Sequence, residues 1–235
     1  MSLAKRSSRF APRFALAAVV ILPWSGIDSE SEPKRGQPPR GLMGVVGNWT
    51  AINDSGPAFR VDGAAWNGQT APRDLEAAGR SLFGQTTEAF LANGTAQGAF
   101  PLAVWRDVPD FAAGTIRVRF KLVGGASDQN AGVVVGLQPT GEYMFVRYNT
   151  KDGNVAIWAY ANGERRRIAD GETKAQLPMN TWHDLTVTVT GTTVTGSLDG
   201  TLGVQHTLDK PLSGRVGLWT KRDAVTVFKD FRVDR

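Results

Sequence analysis

Alternation of apolar and polar residues dominates the chain from Gly114 onward. In "GTIRVRFKLVGG", Ile116, Val118, Phe120 and Leu122 fall on one side and Arg117, Arg119 and Lys121 on the other. A period of two marks a strand with one buried and one wet face. The same pattern sets Leu185, Val187 and Val189 against Thr186, Thr188 and Thr190. "AGVVVGLQPTGEYMFVRYNTKDGNVAIWAYANGERRRIA" predicts three or four strands with turns at 139–141, 151–154 and 161–164, where Asp-Gly and Asn-Gly supply the positive φ that tight hairpins need. Further strands are expected at about 181–190, 193–199 and 202–207. "SGRVGLWTKRDAVTVFKDFRVDR" predicts a closing hairpin with Val216, Leu218, Val225 and Val227 inward, Trp219 and Lys221 outward and Asp223 in the turn. Phe228 and Phe231 break its alternation, which predicts a bulge near Lys229 and Asp230. A helical pattern is confined to about 70–84, with Asp74 and Glu76 early and Gly84 late. "GNWTAI" at 47–52 is expected as a strand beside 225–234. Many short strands with so little helix make an all-β, antiparallel sandwich or barrel.

The N-terminus breaks this pattern. Lys5, Arg6, Arg9 and Arg13 precede an apolar run from Phe14 to Leu22 that Pro23 ends. A basic leader followed by a short apolar run is the secretory pattern, and the run falls well short of the ~20 residues of a spanning helix. Residues 1–27 are therefore expected to be a signal or N-terminal anchor, directing the protein to the periplasm or the exterior, with no cleavage position indicated. Residues 28–44 read as a polar, Pro-rich linker, and 45–235 as one β-sandwich domain. The leader holds four of the 27 basic residues and no acid, so the remainder carries 23 basic against 22 acidic residues, a net charge of +1. The basic balance of the whole chain therefore gives no reason to expect nucleic acid as a partner. With no cysteine there is no disulfide, thiol nucleophile or cysteine-based zinc site.

"NTWHDLTVTVTGTTVTGSLDG" resembles the strand pair of laminin-G-like and concanavalin A-like lectin/glucanase domains, in which a W-H-x-L-x-V strand leads into one ending x-L-D-G. "SGRVGLWTKRDAVTVFKDFRV" is similar to their closing G-x-V-G-L-W-T-K-x-D-S-V-x-x-F-D-D-F-x-V, most of all to that of the bacterial 3-keto-disaccharide hydrolase domain. The resemblance covers about residues 100–235. It implies a jelly roll of two stacked antiparallel sheets with carbohydrate ligands on the concave sheet or its rim loops. Lys229 stands where the family usually has the first Asp of Phe-Asp-Asp-Phe, which puts any role of that carboxylate in question.

The chemistry-bearing motifs of common enzymes are missing. Neither G-x-S-x-G nor H-E-x-x-H occurs, and the E-x-D-x-x-E of the superfamily's glucanases has no counterpart. Glu142, Glu164 and Glu172, the glutamates of the 100–235 region, all fall at predicted turns. His183 shares the parity of Leu185 and reads as a buried structural histidine; it and His206 lack metal-ligand spacing. No cofactor is expected. Calcium, common in the superfamily, is the one ion that the oxygen-bearing loops 127–130 and 151–154 offer to hold. Aromatics beside polar groups suit a sugar's apolar face and hydroxyl rim. Trp105, Arg147, Asn149, Trp158, Trp219, Lys221 and Asp223 are the candidate ligand-binding residues. "GERRR" at 163–167 reads as a solvated hairpin arm, with an acidic glycan or a lipid as the sharper alternative. The leading expectation is an exported carbohydrate-binding, lectin-like domain. The alternatives are a glycoside hydrolase of the 3-keto-disaccharide type and a structural or adhesion module that binds protein; oligomeric state is not legible.

Overall fold

The computed structural model describes residues 41–66, 68–172 and 176–235. The expected leader, at 1–27, and residues 28–40 of the expected linker lie outside the described residues, while Leu42, Met43 and Gly44 at the linker's end already belong to a strand. Two seven-stranded sheets are stacked. Across the first run β1 (Leu42–Val46), β4 (Leu102–Trp105), β13 (Arg215–Trp219), β6 (Asn130–Leu137), β7 (Tyr143–Asn149), β8 (Asn154–Ala161) and β9 (Glu164–Asp170). Across the second run β12 (Thr201–Thr207), β11 (Thr193–Leu198), β10 (Trp182–Thr190), β5 (Gly114–Gly124), β14 (Val225–Asp234), β3 (Pro57–Asp62) and β2 (Trp49–Asn53). Every strand pair is antiparallel. The molecule is the β-sandwich that the alternation predicts.

Alternation builds the space between the sheets. Ile116, Val118, Phe120 and Leu122 of β5 are buried there with Leu185, Val187 and Val189 of β10. Val133 and Val135 of β6, Val146 and Tyr148 of β7 and Ile157 of β8 meet them from the first sheet. His183 joins this side, opposite Phe120, with Nδ1 2.7 Å from Asp199 Oδ2, the structural role its parity predicts.

β14 corrects two details of the expected closing hairpin. Its register against β5 slips between Val225 and Thr226, so Phe228, not Val227, stands opposite Phe120 in the core. A second slip between Lys229 and Arg232, with Asp230 at φ 55°, is the expected bulge. The strand beside β14 is β3; the expected partner, "GNWTAI", contributes β2, one place further out.

A third layer covers part of the first sheet's outer face. α1 (Pro72–Phe83) is the helix expected near 70–84, with proline in its first turn and Gly84 at φ 74° closing it. It buries Leu75, Ala78, Gly79 and Leu82, one stripe of a 3.6-residue period. α2 (Glu88–Ala96) was not legible as a helix, because Asn93-Gly94-Thr95 is poor in helix propensity. Tertiary contacts override that preference. Thr87 caps its first turn, and the absent side chain of Gly94 admits Leu75, which would lie 2.8 Å from a β-carbon there. Asn93 is the main fastening: its amide donates to the Thr140 carbonyl and accepts from Gly163 N–H, while its own carbonyl accepts from the Tyr160 hydroxyl. One residue thus ties α2 to the β6–β7 and β8–β9 turns. Among the described residues no helix is long and apolar enough to cross a membrane.

Replacing Asn93 with alanine leaves Gly163 N–H and the Thr140 carbonyl without these partners. Urea unfolding of Asn93→Ala should show a loss of roughly 1–3 kcal/mol.

Candidate functional site

The outer face of the first sheet is apolar at one end and polar at the other. Strand pairing sets Val134, Phe145, Trp158 and Arg167 side by side across β6, β7, β8 and β9. The adjacent row, one pleat on, is Trp219, Gly132, Arg147, Ala156 and Asp170. The next is Asn130, Asn149 and Asn154. Towards the helices the face is closed by Tyr143 and Tyr160, stacked at 5.1 Å. Burial pushes the Tyr160 phenol up to about 12. The Tyr143 phenol is pushed up further by burial, with the Trp219 indole beside it pulling the other way.

Stacked rings mark the division. Phe100 lies on Trp219 at 5.8 Å, Trp219 on Phe145 at 4.1 Å and Phe145 on Trp158 at 6.4 Å. Gly132 makes the approach of Trp219 possible, since a β-carbon there would stand 3.2 Å from its ring.

Beyond the rings the groups are charged and mostly buried. Arg147, 4% exposed, binds Asp152 Oδ2 at 2.6 Å and Asn154 Oδ1 at 2.8 Å. Burial pulls its pKa below the ordinary arginine value, with Asp152 and Asp170 opposing. Asp128, 3% exposed, accepts from Lys221 at 3.1 Å and from Arg222 at 3.4 Å. Asp223 accepts from the backbone N–H groups of Ala126, Ser127 and Asp128 at 2.7, 2.8 and 2.9 Å. Burial works to raise the Asp223 pKa, but these N–H groups outweigh it and hold the carboxyl below its usual value. The clamp places Asp128 beneath the two cations.

The Trp158 ring is flanked by guanidinium groups, with Arg165 and Arg167 each 4.9 Å away and Arg147 5.8 Å away. Several buried polar atoms at this end of the sheet have no hydrogen-bond partner among the described residues. They are both amide atoms of Asn130, the Trp158 indole nitrogen and the hydroxyls of Thr150 and Thr220, which follow Asn149 and Trp219 in the chain.

Five of the seven expected ligand-binding residues, Arg147, Asn149, Trp158, Trp219 and Lys221, come together here. Trp219 is nevertheless buried, where the sequence predicted an outward face. Its side is outward from the sandwich as parity requires, but Phe100 and the helical layer cover it, and parity does not register a third layer. Asp223 lies next to the site and is spent on the 126–128 loop. Trp105 lies elsewhere: it stacks on Phe231 at 4.9 Å and lines a cavity of about 240 Å³ with Phe59 and Phe228. Lys229 is also remote from this face, with its ammonium 4.1 Å from the Trp182 ring on the second sheet. The sequence reading left out Phe100; it offered Asp128 and Asn130 only within a calcium-type loop, and Arg165 and Arg167 only within the GERRR arm as the sharper alternative of an acidic-glycan contact. For Asn130 the signal was its shared parity with Gly132 in β6; for the two arginines it was alternation within "GERRR", which sets both opposite Arg166.

The carboxylates of the calcium-type loops are both engaged by cations of the chain. Asp128 is paired with Lys221 and Arg222, and Asp152 with Arg147. Among the described residues, no group of three or more His, Cys, Asp or Glu is placed to hold a metal.

Residues 49–234 match the 3-keto-alpha-glucoside-1,2-lyase-like domain, and the chain belongs to that family. Among solved structures, the carbohydrate-binding module CBM66 from Bacillus subtilis is 15% identical with a TM-score of 0.59, over 83% of this chain and 96% of that one. A functionally unknown protein from Saccharomyces cerevisiae is 16% identical, with a TM-score of 0.48 over 82% and 94%. Galectin LEC-6 from Caenorhabditis elegans is 14% identical, with a TM-score of 0.40 over 53% and 85%. The CBM66 likeness is one of fold. No curated protein matches the chain.

The lowered pKa of Asp223 gives its clamp a pH signature. Its contribution to stability is full above the unfolded aspartate value of about 3.9 and is lost as pH falls through the lower folded value. Asp223→Asn should therefore be less stable than the parent at neutral pH, and the gap should narrow on acidification below about pH 4. Denaturant unfolding of both proteins along a pH series measures it.

Proposed function

We propose that this member of the family is an exported protein that binds carbohydrate on the polar half of the first sheet's outer face. The observation that carries the reading is the set of buried, unpartnered donors and acceptors around Asn130, Thr150, Trp158 and Thr220. Burying such groups without partners costs free energy, so a cluster of them favours a place where water, or a polar ligand that displaces it, supplies the missing hydrogen bonds. A polyhydroxylated ring offers both donors and acceptors within a few ångströms. Arg147, Asn149 and Lys221 add directional groups at the same end of the sheet. The recognition is mainly by hydrogen bonding, because guanidinium groups already flank the Trp158 ring. The family's description, which concerns glucoside chemistry, and the carbohydrate-binding module of similar fold support this class of ligand. Export rests on the basic segment and apolar run of residues 1–27.

A second reading, cleavage of a 3-keto-glucoside, is favoured by the family's description. Binding leads because the carboxylates on this face, Asp128, Asp152 and Asp170, are each paired with a basic side chain.

Asn130→Ala separates a binding role from a structural one. Removing two unsatisfied buried atoms should leave the denaturation midpoint unchanged or higher, while glycan affinity drops by about tenfold, the worth of one or two lost hydrogen bonds. Isothermal titration against an oligosaccharide panel that includes 3-keto-glucosides supplies the affinity. Release of products from those 3-keto-glucosides would favour the second reading, and absence of binding across the panel would overturn the first.

A further inference from the structure

The edge strand β9 brings two arginines to the candidate face and leaves one of them without an anionic partner. Arg167 is paired with Asp170 at 2.7 Å. Arg165 makes no side-chain hydrogen bond or ion pair among the described residues. Its guanidinium is instead stacked between rings, 4.4 Å from Phe100 and 4.9 Å from Trp158. It is half-buried, and burial pulls its pKa down, with Asp128 too distant to pair but close enough to oppose the shift. A guanidinium held by its faces keeps its in-plane N–H groups available, a fork that matches the oxygens of a carboxylate or sulfate. Desolvating an arginine without giving it a counter-ion is costly, so its place against Trp158, whose buried indole nitrogen is itself unpartnered among the described residues, calls for an explanation. The charges on this face are unequal as well: Arg147, Arg165, Arg167, Lys221 and Arg222 face Asp128, Asp152, Asp170 and Asp223.

We infer that the ligand of this face is an acidic saccharide, whose carboxylate or sulfate ester docks on the Arg165 guanidinium between Phe100 and Trp158. The inference rests on the carbohydrate reading and adds the charge of the sugar to it. A lone surface arginine would not suffice; here the cation is clamped by two aromatic faces, and the buried, unpartnered Trp158 indole nitrogen belongs to one of them.

The test compares an oligogalacturonate, the same oligosaccharide as its methyl ester and a sulfated oligosaccharide, by isothermal titration with the full chain at about 0.15 M salt, where exposed charges are largely screened. At least one acidic probe should bind about tenfold more tightly than the methyl ester, the scale of one charge-assisted bidentate contact. Arg165→Ala should reduce the acidic probes to the level of the ester, and Arg165→Lys should recover part of the difference, since an ammonium keeps the charge without the fork. Arg166→Ala, on the opposite side of the same strand, should keep the preference. Thermal unfolding of each variant separates loss of contact from loss of fold. Equal affinity for the acids and the ester would overturn the acidic ligand while leaving the carbohydrate reading in place. Failure of these probes and of the neutral panel to bind would overturn both.

Discussion

The row of stacked rings from Phe100 through Trp219 and Phe145 to Trp158 is the constraint on which the candidate face depends. An outer sheet face in a sandwich normally meets water and is polar throughout. Here it has two neighbours to satisfy. On one side of the rings, Leu102, Val104, Val134 and the two tyrosines pack beneath the helical layer. On the other, charged and amide side chains occupy the same strands at the same parity. Without the rings the aliphatic cover would abut Arg147 and Asp128 directly, and both kinds of group would lose. Aromatic side chains tolerate this boundary because one end of each ring can pack while an edge or a face meets a cation or an N–H group.

The polar half is assembled from loops as much as from strands. Asp223 draws Ala126, Ser127 and Asp128 into place through three backbone N–H groups, and Asp128 then accepts Lys221 and Arg222 from the same turn that supplies Asp223. The arrangement is reciprocal: the 221–223 turn fixes the 126–128 loop, and the loop returns a buried carboxylate to neutralise the turn. Arg147 is held in the same manner by Asp152 and Asn154 from the turn that follows its own strand. Removing one member of such a set leaves another buried charge unpaired, and that penalty exceeds the net stabilisation the intact pair provides.

The sandwich was legible in the sequence because alternation reports which side of a strand is buried, and β5 and β10 alternate without a fault. What lay beyond was lost for identifiable reasons. Parity placed Trp219 away from the inter-sheet core, which is where it is, but parity is silent on a third layer, so the residue read as exposed. Asp223 carries a carboxylate at a loop tip, which suits a ligand and a backbone clamp equally; its choice depends on a loop almost a hundred residues away. Trp105 shared strand character with Trp158, yet it packs on the inter-sheet side of β4, against the core and Phe231, and which side of a four-residue strand faces that core is not contained in its local pattern. Asn130 was hidden by its position at the head of the apolar run of β6. Lys229, singled out for replacing an aspartate, sits over Trp182 on the far sheet and leaves this face unaffected.

Charge shows the same separation between composition and place. Beyond residue 27 the chain is almost neutral, so its composition gives no expectation of a broadly basic surface. That average conceals a local imbalance created by topology. β9 is the last strand of the first sheet, so its arginines have no further strand to pair with, and those of one parity lean back over Trp158. Arg167 finds Asp170 within its own strand, whereas Arg165, two residues earlier, reaches two aromatic faces and, among the described residues, no carboxylate. An unpaired cation at a sheet edge is ordinary when water surrounds it. One that is half-buried between rings has given up part of its hydration, and the stacking offsets only part of that loss, because a ring quadrupole is a weaker partner than an ion. The remainder is a standing preference for an anion at this point on the face.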